Sequence, residues 1–247
     1  MAKLGIAVSC ARRGMNGSRT PAERTRWQQD QAIRMLAALE VEISVKGAMP
    51  HGGLLVCNHL SYLDVLVLAA QGPVVFVAKS EVRTWPVIGK LLETAGTILA
   101  ERARPLTARK TAAQIRAALE GGLTVVLFPE GTSSAGASIL PYKPSLLQAA
   151  LDAGVPITPA ALAYQAERGD PASEVCYWGD ATFLPHLLRM AGLEKINAHL
   201  SIGPACILPP ARKLAALELH KLSAELLAGM TGPSPSLGSG ENNSPTS

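Results

Sequence analysis

Short apolar runs alternate along this chain with longer stretches of helical period. Runs at 41–45, 54–57, 74–78, 97–99, 124–128, 157–163, 175–178 and 198–202 predict strands. Helical patterning predicts helices at 25–40, 62–70, 87–93, 106–120, 144–153, 184–191 and 211–228, with Gly121, Gly122, Gly154 and Gly229 as stop signals. Such alternation predicts the α/β class, one sheet covered by helices. Three parts follow: a basic arm with its helix at 1–40, a main domain at 41–229, and a tail at 230–247. The tail is rich in Ser, Pro, Gly and Asn and is expected to be disordered.

The first long helix carries a mixed pattern. At about 100° per residue, Ala32, Ile33, Met35, Leu36, Ala37 and Leu39 share a broad arc. Asp30, Gln31 and Arg34 lie opposite, and Trp27 falls on their side. The helix is either docked on the core or laid at a lipid interface, with Trp27 and nearby arginines at the headgroups. In the last helix, the stripe of Ala215, Leu219, Leu222 and Leu226 predicts core packing.

Composition narrows the choice of partner. In 247 residues, 48% are hydrophobic and 17% charged, enough for a substantial core. The net charge of +4 argues against a dedicated nucleic-acid binder. Residues 1–30 hold six basic side chains and two acidic ones, so this segment alone accounts for the excess. It is either a solvated arm or a contact for anionic lipid. Cys10, Cys57, Cys176 and Cys206 are scattered, which predicts a reducing compartment and no structural zinc site. No apolar run is long enough to span a bilayer, and residues 4–10 are too short for a signal peptide. A membrane role would be peripheral.

The stretch Asn58-His59-Leu60-Ser61-Tyr62-Leu63-Asp64 is the first with candidate chemistry. Residues five apart on a regular helix diverge by about 140°. A helix starting after Ser61 would instead leave His59 on the preceding turn, free to fold back on Asp64. The carboxylate would then fix the imidazole tautomer and leave the other nitrogen as a base. Ser61 to Asp64 also fits a capping box, in which Asp64 would only satisfy helix amides. A second polar block, Pro129-Glu130-Gly131-Thr132-Ser133-Ser134, follows the strand at 124–128, where α/β folds commonly bind ligands. Alone it reads equally as a turn with a solvated Glu130. Arg102 follows the short strand at 97–99, as an anion clamp or a surface ion pair.

Taken together, these blocks resemble the glycerolipid acyltransferases of the 1-acyl-sn-glycerol-3-phosphate acyltransferase type. The motif N-H-x-S-x-x-D is matched by Asn58, His59, Ser61 and Asp64. The second resembles Lys79-x-Glu81 followed by Pro86, Gly89, Gly96 and Arg102. The third, F-P-E-G-T-x-S, is matched by Phe128 to Thr132 and Ser134, and the fourth resembles the VPITPA stretch at 155–160. The resemblance covers roughly residues 50–165, in the family's order.

It implies a single-domain mixed sheet covered by helices, and an O-acyltransferase working in membrane lipid biosynthesis. His59, oriented by Asp64, would deprotonate a lysolipid hydroxyl that attacks the thioester of acyl-CoA or acyl-carrier protein. Arg102, Glu130, Gly131 and Thr132 would belong to the acceptor site, and Lys79 would support the oxyanion or headgroup. No cofactor and no metal are implied. The expected place is the cytoplasmic side of the membrane, held peripherally.

The chain departs from the pattern where F-P-E-G-T-R-S is common. Ser133 stands at the arginine's place, and Lys143-Pro144 replaces a lysine-glycine. With YWGDATFLPHLLR at 177–189, this resembles the lyso-ornithine-lipid acyltransferase branch, whose acceptor carries no phosphate. By themselves, residues 177–189 read as a strand, turn and helix. Two other classes compete: a thioester or lipid hydrolase, and a non-catalytic peripheral membrane protein. No G-x-S-x-G elbow favours the hydrolase, and neither G-x-G-x-x-G nor a P-loop favours a nucleotide.

Overall fold

The computed structural model describes residues 19–85, 88–100 and 105–231, with isolated positions 3, 5 and 9. Arg102 and the tail from 232 lie outside the described residues, as does most of the basic arm. Within that arm, Lys3 donates to the Glu40 carboxylate and to the Leu193 carbonyl, both at 2.8 Å.

Seven strands form one sheet: β1 (Val41–Lys46), β2 (Gly53–Val56), β3 (Val74–Lys79), β4 (Ile98–Ala100), β5 (Thr124–Leu127), β6 (Ile157–Ala166) and β7 (Ile196–Ile202). Their order is β1-β7-β6-β2-β5-β3-β4. Strands β2 to β6 run parallel, β7 is antiparallel to β6, and β1 follows β7. The mixed sheet therefore aligns the carboxyl ends of five strands along one end of the molecule. The helices are α1 (Pro21–Ala38), α2 (Leu63–Gln71), α3 (Ile88–Ala95), α4 (Pro105–Glu120), α5 (Gln148–Ala153), α6 (Pro171–Glu174), α7 (Phe183–Ala191) and α8 (Arg212–Thr231).

The central strands β2 and β5 are buried at every position, and mostly apolar, because helices cover both faces. Their period of two separates the faces. Leu55, Cys57, Phe76, Val126, Phe128, Leu162 and Tyr164 point into a layer built by α1, α2 and α7. Leu54, Val56, Val125, Leu127, Ile157 and Ala161 point into the layer of α4, α5 and α8. Gly53 starts β2 with a φ of 80°, and a Cβ there would stand 2.5 Å from the Pro156 carbonyl oxygen. Only glycine admits that approach.

Several elements differ from their expected form. Helix α1 starts earlier, at Pro21, behind a capping box of Thr20 and Glu23. Its buried stripe is Thr25, Gln28, Ala32 and Leu36, continued by Leu39 just past its end, with Trp27 and Gln31 also buried. Ile33, placed on the apolar arc, is 49% exposed. The helix is docked on the core, and buried Trp27 carries the Arg19 guanidinium 5.3 Å from its ring centre. The interfacial reading, with Trp27 among headgroups, does not hold. The helix expected at 144–153 divides into a 3₁₀ turn at Pro144–Leu146 and α5, which ends on left-handed Gly154. Helix α8 continues past Gly229 to Thr231.

No strand forms at 175–178. The Val175 and Cys176 amides turn back to the Pro171 carbonyl, and the Tyr177 amide reaches Leu60. Val175 and Cys176 are buried as a loop and Trp178 is exposed, and the amides of Val175, Cys176 and Tyr177 are paired outside any ladder.

Candidate active site

Strand β2 delivers its chain to the end of the sheet where five carboxyl ends meet. The Cys57 amide still donates to Leu127 of β5 at 3.2 Å. Asn58 then bridges to β6 with its side chain. Its Nδ2 donates to the Leu162 carbonyl at 2.9 Å, and its Oδ1 accepts from the Leu162 amide at 2.7 Å. A primary amide carries a donor and an acceptor side by side, so it replaces a lost backbone pair. Asn58 is buried, and the loop that follows starts from a fixed point.

Next comes His59, whose Nδ1 lies 2.7 Å from Oδ2 of Asp64. Asp64 sits in the first turn of α2, so the imidazole folds back over the loop to reach it. The carboxylate is completely buried and surrounded by donors. Its Oδ2 also accepts from the Leu60 amide at 2.6 Å and the Ser61 amide at 3.0 Å. Its Oδ1 accepts from the Tyr164 hydroxyl at 2.8 Å. Burial and the adjacent Asp64 push the Tyr164 hydroxyl well above its ordinary range, which keeps it a donor.

Asp64 thus meets both readings made of it. It takes up free amides before the helix, and it takes the imidazole. Ser61 does not cap: its hydroxyl is buried and has no hydrogen-bond partner among the described residues. Helix α2 begins at Leu63, with Tyr62 before it making no side-chain cap. The carboxylate of Asp64, the second helical residue, accepts from the two amides that precede the helix, and the Asp64 amide donates to the Ser61 carbonyl.

Because an ionised carboxylate only accepts, the proton between the two groups belongs to His59 Nδ1. Nε2 is left with its lone pair. The ring is held on its face by Phe128, stacked at 4.2 Å, and Phe128 stacks on Phe76 at 6.3 Å. The His59 side chain keeps 24% of its surface open. The result is an oriented imidazole with limited access to solvent.

The block after β5 grips the same residue through its main chain. The His59 amide donates to Oε1 of Glu130 at 3.1 Å, and the Ser134 amide donates to the His59 carbonyl at 3.0 Å. Glu130 is buried rather than solvated. Its Oε2 has no partner among the described residues, and desolvation raises its carboxyl from 4.5 to about 7. Amides of His59 and Leu140 pull the other way, with smaller effect. Gly131 turns the chain with a φ of 69°, and Thr132 after it is exposed.

His59, Asp64 and Glu130 are thus brought into one hydrogen-bonded network. Gly131 and Thr132 lie beside it on the same loop. Lys79 stands exposed at the carboxyl end of β3, the same end of the sheet, outside that network. Arg102 has no described position. The sequence reading missed Tyr164. The period of two along β6 was its signal, because Leu162 and Tyr164 share a face, and Leu162 is the partner of Asn58. Among the described residues, no group of three or more His, Cys, Asp or Glu is placed to hold a metal ion. No helix among them is long and apolar enough to cross a membrane.

The Acyltransferase family model matches residues 39–163. The chain is 35% identical over 204 residues to a lyso-ornithine lipid O-acyltransferase of Pseudomonas aeruginosa, covering 81% of this chain and 77% of that one. It is 33% identical over 188 residues to a 1-acyl-sn-glycerol-3-phosphate acyltransferase of Neisseria meningitidis, covering 75% and 73%. Its fold matches the crystal structure of the 1-acyl-sn-glycerophosphate acyltransferase PlsC from Thermotoga maritima. The TM-score is 0.65 at 16% identity, covering 93% of this chain and 89% of that one. The matched segment contains His59, Asp64 and Glu130, and the chain belongs to the Acyltransferase family and is an acyltransferase.

Proposed function

We propose that this chain transfers a fatty acyl group from a thioester, acyl-CoA or acyl-carrier protein, to the free hydroxyl of a lysolipid. His59 is the general base. The observation that carries this reading is the 2.7 Å bond between His59 Nδ1 and buried Asp64, which leaves Nε2 as the proton acceptor. Nε2 takes the proton of the lysolipid hydroxyl as that oxygen attacks the thioester carbonyl. A carbon–oxygen bond forms, and the tetrahedral intermediate collapses with loss of the carbon–sulfur bond. The proton held on His59 passes to the leaving sulfur. Asp64 stabilises the imidazolium between the two transfers, and Glu130 holds the His59 main chain in place.

The sequence likeness supports two acceptors, 1-acylglycerol-3-phosphate and lyso-ornithine lipid. One contact favours the second. The Ser133 hydroxyl, at the place where a phosphate-binding arginine is common, donates to the Tyr177 carbonyl. That position offers no cation to a phosphate. Lysolipids reside in bilayers, so attachment to the cytoplasmic side of a membrane belongs to the same proposal, and vesicle flotation of the full chain tests it. A radiolabelled acyl-transfer assay comparing the two lysolipids decides the acceptor. Turnover of lysophosphatidate alone would reject the lyso-ornithine reading. Thioester loss without any acceptor would favour a hydrolase.

A further inference from the structure

The loop carrying His59 is gripped from β5 by Glu130 and Ser134, and from β6 by Leu162 and Tyr164. A third grip comes from Cys176, Tyr177 and His186, which lie beyond the 39–163 family match. The Tyr177 amide donates to the Leu60 carbonyl at 2.7 Å, and the Ser133 hydroxyl donates to the Tyr177 carbonyl. On α7, His186 is fully buried and lies between two partners. Its Nε2 is 3.1 Å from the Cys176 carbonyl, and its Nδ1 is 2.9 Å from the Tyr62 hydroxyl.

Those partners fix every proton. A carbonyl can only accept, so Nε2 carries the hydrogen. Burial lowers the His186 pKa and keeps the ring neutral, so Nδ1 is an acceptor and the Tyr62 hydroxyl donates to it. Burial likewise raises the Tyr62 hydroxyl well above its ordinary range. The Tyr62 ring also meets the rings of Phe183 at 5.2 Å and His186 at 5.6 Å, both edge-on.

Resting on the reading of His59 as base, we propose that Tyr62 and His186 are a positioning pair for the transfer reaction. Leu60 and Tyr62 flank Ser61, and the amides of Leu60 and Ser61 aim Oδ2 of Asp64. Tethering Tyr62 on one side and Leu60 on the other fixes those amides, and through Asp64 they fix the His59 ring. The pair touches no reacting atom. It acts on geometry, to which a rate responds steeply: a shift of about 1 Å can cost about a hundredfold.

The test uses the full chain in three single variants and one double. Tyr62→Phe removes only the hydroxyl, His186→Leu removes the acceptor, and His186→Asn keeps an acceptor near the Nδ1 position. For Tyr62→Phe and His186→Leu, kcat falls about tenfold while KM for thioester and lysolipid changes less than about twofold. The double variant Tyr62→Phe/His186→Leu falls no further than the singles, and His186→Asn recovers most of the rate. Proton NMR supplies a readout independent of turnover: the downfield Nδ1 proton of His59 is sharp in the parent and broadens in Tyr62→Phe. A parent-like kcat with a sharp resonance in Tyr62→Phe overturns the pair, as do losses that multiply in the double variant. If His59→Ala keeps the full rate, the base assignment has failed, and the NMR signature alone decides whether the pair orients His59.

Discussion

The Tyr164 hydroxyl donates to Oδ1 of Asp64 at 2.8 Å, across 100 residues of chain. It is the donor to the carboxylate oxygen that His59 does not use. Tyr164→Phe keeps the ring in the core and leaves Oδ1 buried without that donor. A hydrogen bond to a charged group contributes about 1.5–3 kcal/mol. The expected result is a fall of about tenfold to a hundredfold in kcat, with the fold retained by circular dichroism. An unchanged kcat would show that Asp64 is oriented without Tyr164.

Asn58 makes a prediction about stability rather than rate. Asn58→Asp keeps the acceptor for the Leu162 amide and removes the donor to its carbonyl. It also sets a buried carboxylate against that carbonyl. Urea unfolding should show a loss of about 2 kcal/mol or more at neutral pH, partly recovered in acid as the new carboxyl protonates. A variant as stable as the parent at neutral pH would mean that the bridge to β6 is dispensable.

Glu130 predicts a pH dependence whose sign follows from its surroundings. Burial raises its carboxyl from 4.5 to about 7, so in that window the folded chain holds a proton that the unfolded chain has lost. Its contribution is therefore fully present at acid pH and is lost as pH rises through about 7. Relative to Glu130→Gln, which cannot titrate, the parent should lose about 3 kcal/mol between pH 4.5 and pH 7.5. Parallel urea titrations of both proteins measure it. A constant difference across that range would contradict the desolvation of the Glu130 carboxyl.

Local signals carried much of the fold. The buried strands are apolar on both faces and short, and the parallel sheet follows from their alternation with helices. The loops were harder. Val175 to Trp178 has the composition of a strand, but its backbone finds partners at Pro171 and Leu60, which no periodicity encodes. Ser61 has the residue type of a cap, but its hydroxyl makes no cap bond, and it is the Ser61 carbonyl that accepts from the Asp64 amide.

In the site, His59 and Asp64 were legible because spacing and motif agree over a few residues. Glu130 was legible as a motif member, while the turn taken alone also allowed a solvated side chain, which its burial rules out. Its burial depends on a second loop closing over the His59 amide. Tyr164 and His186 come from distant strands and helices, and only the sheet order and the packing of α7 bring them to Asp64 and Tyr62. The stretch 177–189 read as ordinary structure, yet it carries the partners of Leu60, Tyr62 and Ser133.

The central claim is that His59 removes the acceptor proton. Acyl transfer from acyl-CoA should be measured on lysophosphatidate and lyso-ornithine lipid for the parent and for His59→Ala, with thermal unfolding of both. General-base catalysis by a histidine contributes about 10²- to 10⁴-fold. The expected result is a loss of that size on whichever lysolipid the parent uses, with the melting transition preserved. Full activity in a folded His59→Ala protein would contradict the account.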